Sequence, residues 1–260
     1  MYKLLPKPKS QIQANFSNSS EMTQLEDIPP PEFLREAIFA AGRFWEIEAA
    51  FGGVDGVIRT ATGYFGGSTV KPSYKEVIEG NTGHTEAVKV IYDKRRVSYK
   101  SLCKVFWTSH DPTNKHYLEF GVDTHYRSAI FYGNEEEKKE AQETKVKHQM
   151  KLNKRIVTKI LSRNSNNCAV FYMAENQHHK YYLQRDHIPL CESLGLRSTQ
   201  HFANSHIACK LNGILGGPGN KTSEELKSFM ERYQLPKQTM LVLEEILHNL
   251  GVKKGSELED

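Results

Sequence analysis

Gly42-Arg43-Phe44-Trp45-Glu46-Ile47-Glu48 is the stretch on which the reading of this chain turns. A small apolar run over 37–41 precedes it and reads as a short buried strand. Phe44, Ile47 and Phe51 then recur at helical spacing, so a helix is expected over 44–51. A strand, a glycine and a helix in immediate succession leave the first helical N–H groups without intrahelical partners. Such a helix start binds an anion or lowers the pKa of a thiol. Arg43 stands there instead. A cation at that end is disfavoured by roughly 0.3–1 kcal/mol unless it turns away or meets a carboxylate. Taken alone, Phe44 and Trp45 read as core aromatics.

Outward from this turn the periodicities alternate. Residues 54–64 have strand character, 74–79 read as a short helix, and 85–92 alternate like a half-buried strand. A helix follows over 98–109 with Leu102, Val105 and Phe106 inward, then a strand over 128–132. Asn134 caps a long helix that opens on Glu135, Glu136 and Glu137, as the macrodipole prefers. Residues 168–173 read as another strand. Strands and helices mixed in this way predict an α+β fold, a mixed sheet with packed helices in a two-layer sandwich.

Three regions are expected. Residues 1–35 read as a disordered lead-in ended by Pro29-Pro30-Pro31, and 36–189 as the globular domain. Residues 190–260 read as a helical C-terminal extension. There a Gly-rich link over 213–219 leads to a capping-box pattern at Thr222-Ser223-Glu224-Glu225. Pro236 breaks that helix, and a last one over 238–250 carries Met240, Leu243, Leu247 and Leu250 on one face, closed by Gly251.

Composition excludes several classes. The net charge of +4, from 35 basic and 31 acidic residues in 260, is mild and unclustered, so no nucleic-acid partner is expected. No apolar run approaches the roughly 20 residues that span a bilayer. The N-terminal stretch lacks the apolar core of a secretory signal, which points to a cytoplasmic, reducing setting. The four cysteines, Cys103, Cys168, Cys191 and Cys209, form no CxxC pair, so neither a metal site nor a disulfide scaffold is expected.

Further blocks follow in order: Tyr64-Phe65-Gly66-Gly67 with Lys71-Pro72-Ser73-Tyr74, Thr82-Gly83-His84-Thr85-Glu86-Ala87-Val88, Phe106-Trp107-Thr108-Ser109-His110-Asp111-Pro112-Thr113, Tyr126-Arg127-Ser128-Ala129-Ile130, and Ala174-Glu175 with His178 and Tyr182-Leu183. With the Gly42 turn, these resemble the conserved blocks of the A-type peptide methionine sulfoxide reductases, over residues 38–185.

The resemblance implies that family's fold and its reaction, thiol-dependent reduction of methionine-S-sulfoxide in peptides and proteins. It implies no bound cofactor and thioredoxin or another dithiol as reductant. It makes Glu86 the proton donor to the sulfoxide oxygen, Tyr74 and Tyr126 its hydrogen-bonding partners, and Phe44 and Trp45 the receptacle for the S-methyl group. A buried carboxyl with a raised pKa suits the first of these roles. His84 and His110 read as structural, His110 at a helix C-terminus.

Two departures stand out. Arg43 occupies the nucleophile's position, where the family has cysteine, and a guanidinium can neither lose its proton nor attack a sulfoxide. The family's aspartate five residues before Tyr126 is Gly121 here, and Asp123 stands where a glycine is usual; no role is assigned to Asp123. Cys191 and Cys209 lie in the tail, where family members carry resolving cysteines, and are candidate redox thiols. Cys103 and Cys168 read as core. An Arg43–Glu86 ion pair is expected, which would depress the glutamate pKa and remove the acid. Three readings remain: a reductase with a nucleophile from elsewhere, an inactive member that binds oxidised methionine or a protein partner, and an interaction protein acting through its C-terminal helices.

Overall fold

In the computed structural model, residues 28–114, 124–164, 170–217 and 222–256 are described, with side chains up to Leu250. Six strands form one mixed sheet: β1 (Leu34–Ala40), β2 (Val57–Phe65), β3 (Thr85–Asp93), β4 (Ala129–Tyr132), β5 (Lys159–Ser162) and β6 (Tyr172–Met173), in the order β5-β4-β1-β3-β2-β6. Every pairing is antiparallel except β4 with β5. β3 is central and buried on both faces along most of its length, not half-buried as its alternation suggests. α+β architecture, a mixed sheet with packed helices, is what the chain adopts.

Alternation gives the sheet two different faces. Ala37, Phe39, Tyr64, Val88, Val90 and Tyr92 point to the front, into the main core. There they meet α1 (Phe44–Gly52), through Phe44, Ile47 and Phe51, and α3 (Tyr99–Thr108), through Leu102 and Phe106. Phe39 stacks on Phe51 with ring centroids 4.7 Å apart. The back face carries a smaller cluster of Ile38, Ala40, Phe65, Ala87, Ala129 and Phe131. α2 (Tyr74–Ile78) is held by a capping box: the Glu76 N–H donates to Ser73 Oγ, and the Ser73 N–H to Glu76 Oε2 at 2.7 Å. α4 (Glu135–Gln149) has the expected Asn134 cap, its Oδ1 accepting from the Glu137 N–H at 2.9 Å.

Several boundaries differ from expectation. Pro31–Phe33 is a 3-10 turn and β1 starts at Leu34, paired with Asp93, so order begins before residue 36. Residues 1–27 of the expected lead-in lie outside the described residues, as do Gly121, Asp123 and Cys168. β2 starts three residues late, because a turn at Gly56, in the left-handed region at φ 86°, occupies the expected beginning. The expected strand over 168–173 is described only as Tyr172–Met173. β5 carries too little apolar pattern to be read from sequence.

The C-terminal part continues as α5 (Tyr181–Asp186), α6 (Ile188–Ser193), α7 (Thr199–Asn204), α8 (His206–Gly216), α9 (Thr222–Arg232) and α10 (Lys237–Ser256). Leu190, Leu194, Phe202, Leu211, Leu226, Phe229 and Leu243 join them in a second apolar cluster. The expected Gly-rich link is not a link at its start. Gly213 and Gly216 are helical, and Gly213 lies where α8 crosses the C-terminal end of α1: a Cβ on it would fall 2.5 Å from the backbone carbon of Gly52. Gly251 does not close the last helix, which runs on to Ser256.

Candidate active site

Glu86 lies on β3 directly opposite Tyr64 of β2, on the front face, 2% exposed. The Phe44 N–H, first of α1, donates to its Oε2 at 3.1 Å. This is one of the orphan donors expected at the Gly42 turn, and Gly42 itself has φ 75°. Burial pushes the Glu86 pKa up to about 8; the Phe44 N–H opposes the shift, Glu46 adds to it, and Arg43 is the weakest of the four influences. Glu86 is therefore a protonated acid at neutral pH.

The expected Arg43–Glu86 pair does not form. Arg43 is the N-cap residue of α1, in extended conformation, with its side chain exposed. It hydrogen-bonds Tyr126 instead, which raises the guanidinium pKa, and lies 6.0 Å from the centre of the Trp45 ring. The helix dipole and the cost of burying a cation both favour this outward course.

Tyr126 ends a 3-10 turn, Thr124–Tyr126. That turn is tied to β3 by Thr85, whose hydroxyl donates to the His125 carbonyl at 2.8 Å. Tyr74 opens α2, and its backbone N–H donates to Glu175 Oε1 at 2.8 Å. The Tyr64 hydroxyl donates to the other oxygen of Glu175 at 2.6 Å. Burial is the largest influence and opposes charge on Glu175, but these two hydrogen bonds, with its own backbone N–H and His178, together outweigh it and leave its pKa lowered. Glu175 is thus the ionised carboxylate of the region and Glu86 the neutral one.

The aromatic residues close one side. Phe44 is fully buried, 6.2 Å from Tyr64 between ring centroids, so Trp45 rather than Phe44 offers accessible aromatic surface. Trp45 stacks on Tyr181 at 4.0 Å and 7°. His178 packs against Phe44 at 5.3 Å and Tyr74 at 4.4 Å. Burial lowers its pKa, so it is neutral, and neither ring nitrogen has a hydrogen-bond partner among the described residues; nor does Trp45 Nε1.

Sequence reading missed the roles of Tyr64, Glu175, His178 and Tyr181. The blocks from Tyr64 to Gly67 and from Ala174 to Leu183 are the available signal, but nothing in them says which residues point inward. It also missed a buried anchor. Lys180 and Glu48, both 0% exposed, pair at 2.7 Å, and the Lys180 ammonium also donates to the Thr60 carbonyl at 2.7 Å. Glu48 Oε2 accepts the Lys180 N–H at 2.8 Å.

The candidate thiols do not reach the site. Cys191 is buried among Leu183, Leu190 and Leu211, and its pKa is pushed up to about 12 by burial. Cys209 is buried on α8, its sulfur 3.5 Å from the Thr60 hydroxyl and its carbonyl against Gly52, at the far end of α1 from Arg43. Those nine helical residues span roughly 12 Å. Cys103 is core, as expected, and likewise raised to about 12 by burial. His84 and His110 are structural. His84 accepts from the Gly67 N–H at 3.1 Å, and His110 bonds the Phe106 carbonyl at 2.9 Å at the end of α3. No group of three or more metal-ligating side chains occurs among the described residues.

Known proteins are similar to this chain over the same region. The family model "Peptide methionine sulfoxide reductase" matches residues 35–211. Peptide methionine sulfoxide reductase MsrA of Methanosarcina acetivorans is 45% identical over 168 residues, 64% of this chain and 86% of that protein. Peptide methionine sulfoxide reductase A1 of Arabidopsis thaliana is 38% identical over 201 residues, 77% of this chain and 94% of that one. Among solved structures, methionine sulfoxide reductase A of Corynebacterium diphtheriae superposes with a TM-score of 0.52 at 30% identity, covering 60% of this chain and 76% of its own. With a match across most of the sheet and the site, this chain belongs to the peptide methionine sulfoxide reductase family.

Proposed function

We propose that this chain recognises methionine-S-sulfoxide in peptides or proteins and does not reduce it by the family's thiol route. The observation that carries this reading is that Glu86 is buried and neutral while an arginine, turned away from it toward Tyr126, stands at the helix start. The acid that would meet the sulfoxide oxygen is kept; the group that would attack its sulfur is not. Reduction through a thiol would require a thiolate within bonding distance of the substrate sulfur, and Cys103, Cys191 and Cys209 are buried elsewhere.

In this reading protonated Glu86 donates to the sulfoxide oxygen. Tyr74 and Tyr126 add hydrogen bonds, and Arg43, already joined to Tyr126, supplies a spare N–H donor. Trp45 receives the S-methyl group. His178 and the indole N–H of Trp45 are left for polar atoms of the bound peptide. A dithiol such as thioredoxin has no sulfenic acid to resolve here; it would be a partner only under the reductase reading. The setting is the reducing cytoplasm, where free thiols persist.

Calorimetry with a methionine-S-sulfoxide peptide, beside the same peptide carrying methionine, tests the proposal. Heat with the sulfoxide alone, without turnover in dithiothreitol, is the expected result. No heat at millimolar sulfoxide peptide sinks it, and turnover by the natural chain restores the reductase reading.

A further inference from the structure

The back of the sheet holds a second cavity that the site above does not use. Registered neighbours share a face, and Glu36 of β1 stands opposite Ile91 of β3, which stands opposite Arg59 of β2. Lys89 stands opposite Ala61 in the next such row. Alternation therefore sends Arg59 and Lys89 to the side opposite Glu86 and Tyr64. A cavity of about 500 Å3 opens there between the sheet and α7, the size of small-molecule sites generally.

Its wall is apolar at Leu34, Ile91 and Met173, and charged at one end. Arg59 and Lys89 set two cations beside one carboxylate, Glu36; Arg35 is registered with Tyr92 and belongs to the other face. Glu36 is shared between Lys89 at 3.8 Å and Arg163 at 3.6 Å. The Arg35 guanidinium donates to the carbonyls of Glu32 at 2.9 Å and Leu34 at 2.7 Å. Arg59 has no ion pair among the described residues, and its Nε is buried without a hydrogen-bond partner. An unsatisfied buried donor costs about 1–3 kcal/mol, more on a charged group, unless something accepts from it. A guanidinium fork matches a planar oxyanion with two parallel hydrogen bonds.

We infer that this cavity binds a small organic oxyanion, a phosphate or carboxylate carried on an apolar body, with Arg59 as its principal contact. The site is independent of sulfoxide recognition, because the sheet lies between the two. The apolar wall takes the body of the ligand, and Lys89 adds a field that salt screens.

Calorimetry on the full chain at low salt tests the inference with phenyl phosphate, benzoate and neutral benzamide, which share one body. The expected result is millimolar or tighter binding of at least one anion and none of benzamide. The stronger of the two anions identifies the head group. Arg59→Gln weakens it by about tenfold or more, the worth of a charge-assisted hydrogen bond. Arg59→Lys, which keeps the charge and the fold but loses the fork, falls between. Binding of benzamide as tight as the anions, equal affinity in Arg59→Gln, or no binding of either anion at millimolar concentration overturns the inference.

Discussion

The Phe44 N–H and the Glu86 carboxyl meet at 3.1 Å, joining the first turn of α1 to the start of the central strand. Glu86 nevertheless has a raised pKa, about 8, because burial outweighs that single donor. In the proposed complex its proton is the one shared with the sulfoxide oxygen. Binding of a methionine-S-sulfoxide peptide is therefore expected to hold from pH 6 to 7 and to weaken as pH rises through about 8. Affinity measured across this range checks it; a flat profile would remove Glu86 from recognition.

The same shift has a consequence for stability, with a definite sign. The folded pKa lies above the ordinary value of 4.5, so between these values the folded state binds the extra proton. Stability from this group is full below pH 4.5 and is lost as pH rises toward about 8 and beyond. Glu86→Gln removes the ionisable group. Denaturant melts at pH 5 and pH 9 are expected to show a smaller loss in that variant, by on the order of a few kcal/mol. Equal losses in both proteins would contradict the shift.

Arg43→Cys places a thiol at the start of a nine-residue helix, where a thiolate is favoured. With Glu86 already protonated nearby, the variant is expected to gain dithiothreitol-dependent reduction of a methionine-S-sulfoxide peptide, absent in the natural chain. Glu86→Gln added to it should lower turnover by roughly 10²–10⁴-fold, the usual worth of a general acid. A silent Arg43→Cys would mean that the pocket no longer holds the sulfoxide in line.

What could be read from sequence followed the length scale of the interaction. The Gly42 turn, α1 and the Asn134 cap are local, and their residues announce them. The site residues were legible only because their blocks resemble a family; nothing local marks Glu86 as buried. The Arg43–Glu86 pair failed as an expectation because sequence shows charge but not direction, and a short reach to Tyr126 spares the guanidinium from burial. Lys180 and Glu48 were invisible for the same reason. Each reads as a surface charge, and only the fold brings residues 132 positions apart into contact.

That buried pair sets up a further expectation. It ties α1, which carries Phe44 and Trp45, to the Thr60 carbonyl of β2 and to the segment bearing Glu175 and His178. Lys180 also holds the left-handed region at φ 49°, unusual for a side chain of its size. Lys180→Met leaves Glu48 buried and unpaired, and is expected to cost about 3–5 kcal/mol in denaturant melts. Adding Glu48→Met, which removes the orphaned charge, should recover much of that loss. Additive losses would show that packing, rather than the charge pair, sets the cost.

Gly213 and Gly52 meet where α8 crosses α1, and this contact gives the last expectation. A Cβ at Gly213 would lie 2.5 Å from the carbon of Gly52 and closer still to the nitrogen of Gly53, both rigid backbone. On propensity alone, glycine to alanine inside a helix should stabilise, by about 1 kcal/mol. The backbone clash has no flexible side chain to absorb it, so Gly213→Ala is expected to destabilise by about 1–3 kcal/mol. Gly195 is the matched control, with nothing within 4 Å of its Cβ but with φ 65°, so Gly195→Ala suffers backbone strain alone. If Gly213→Ala raised the melting point, propensity would have won, and the close approach of α8 to α1 would be looser than the structure places it.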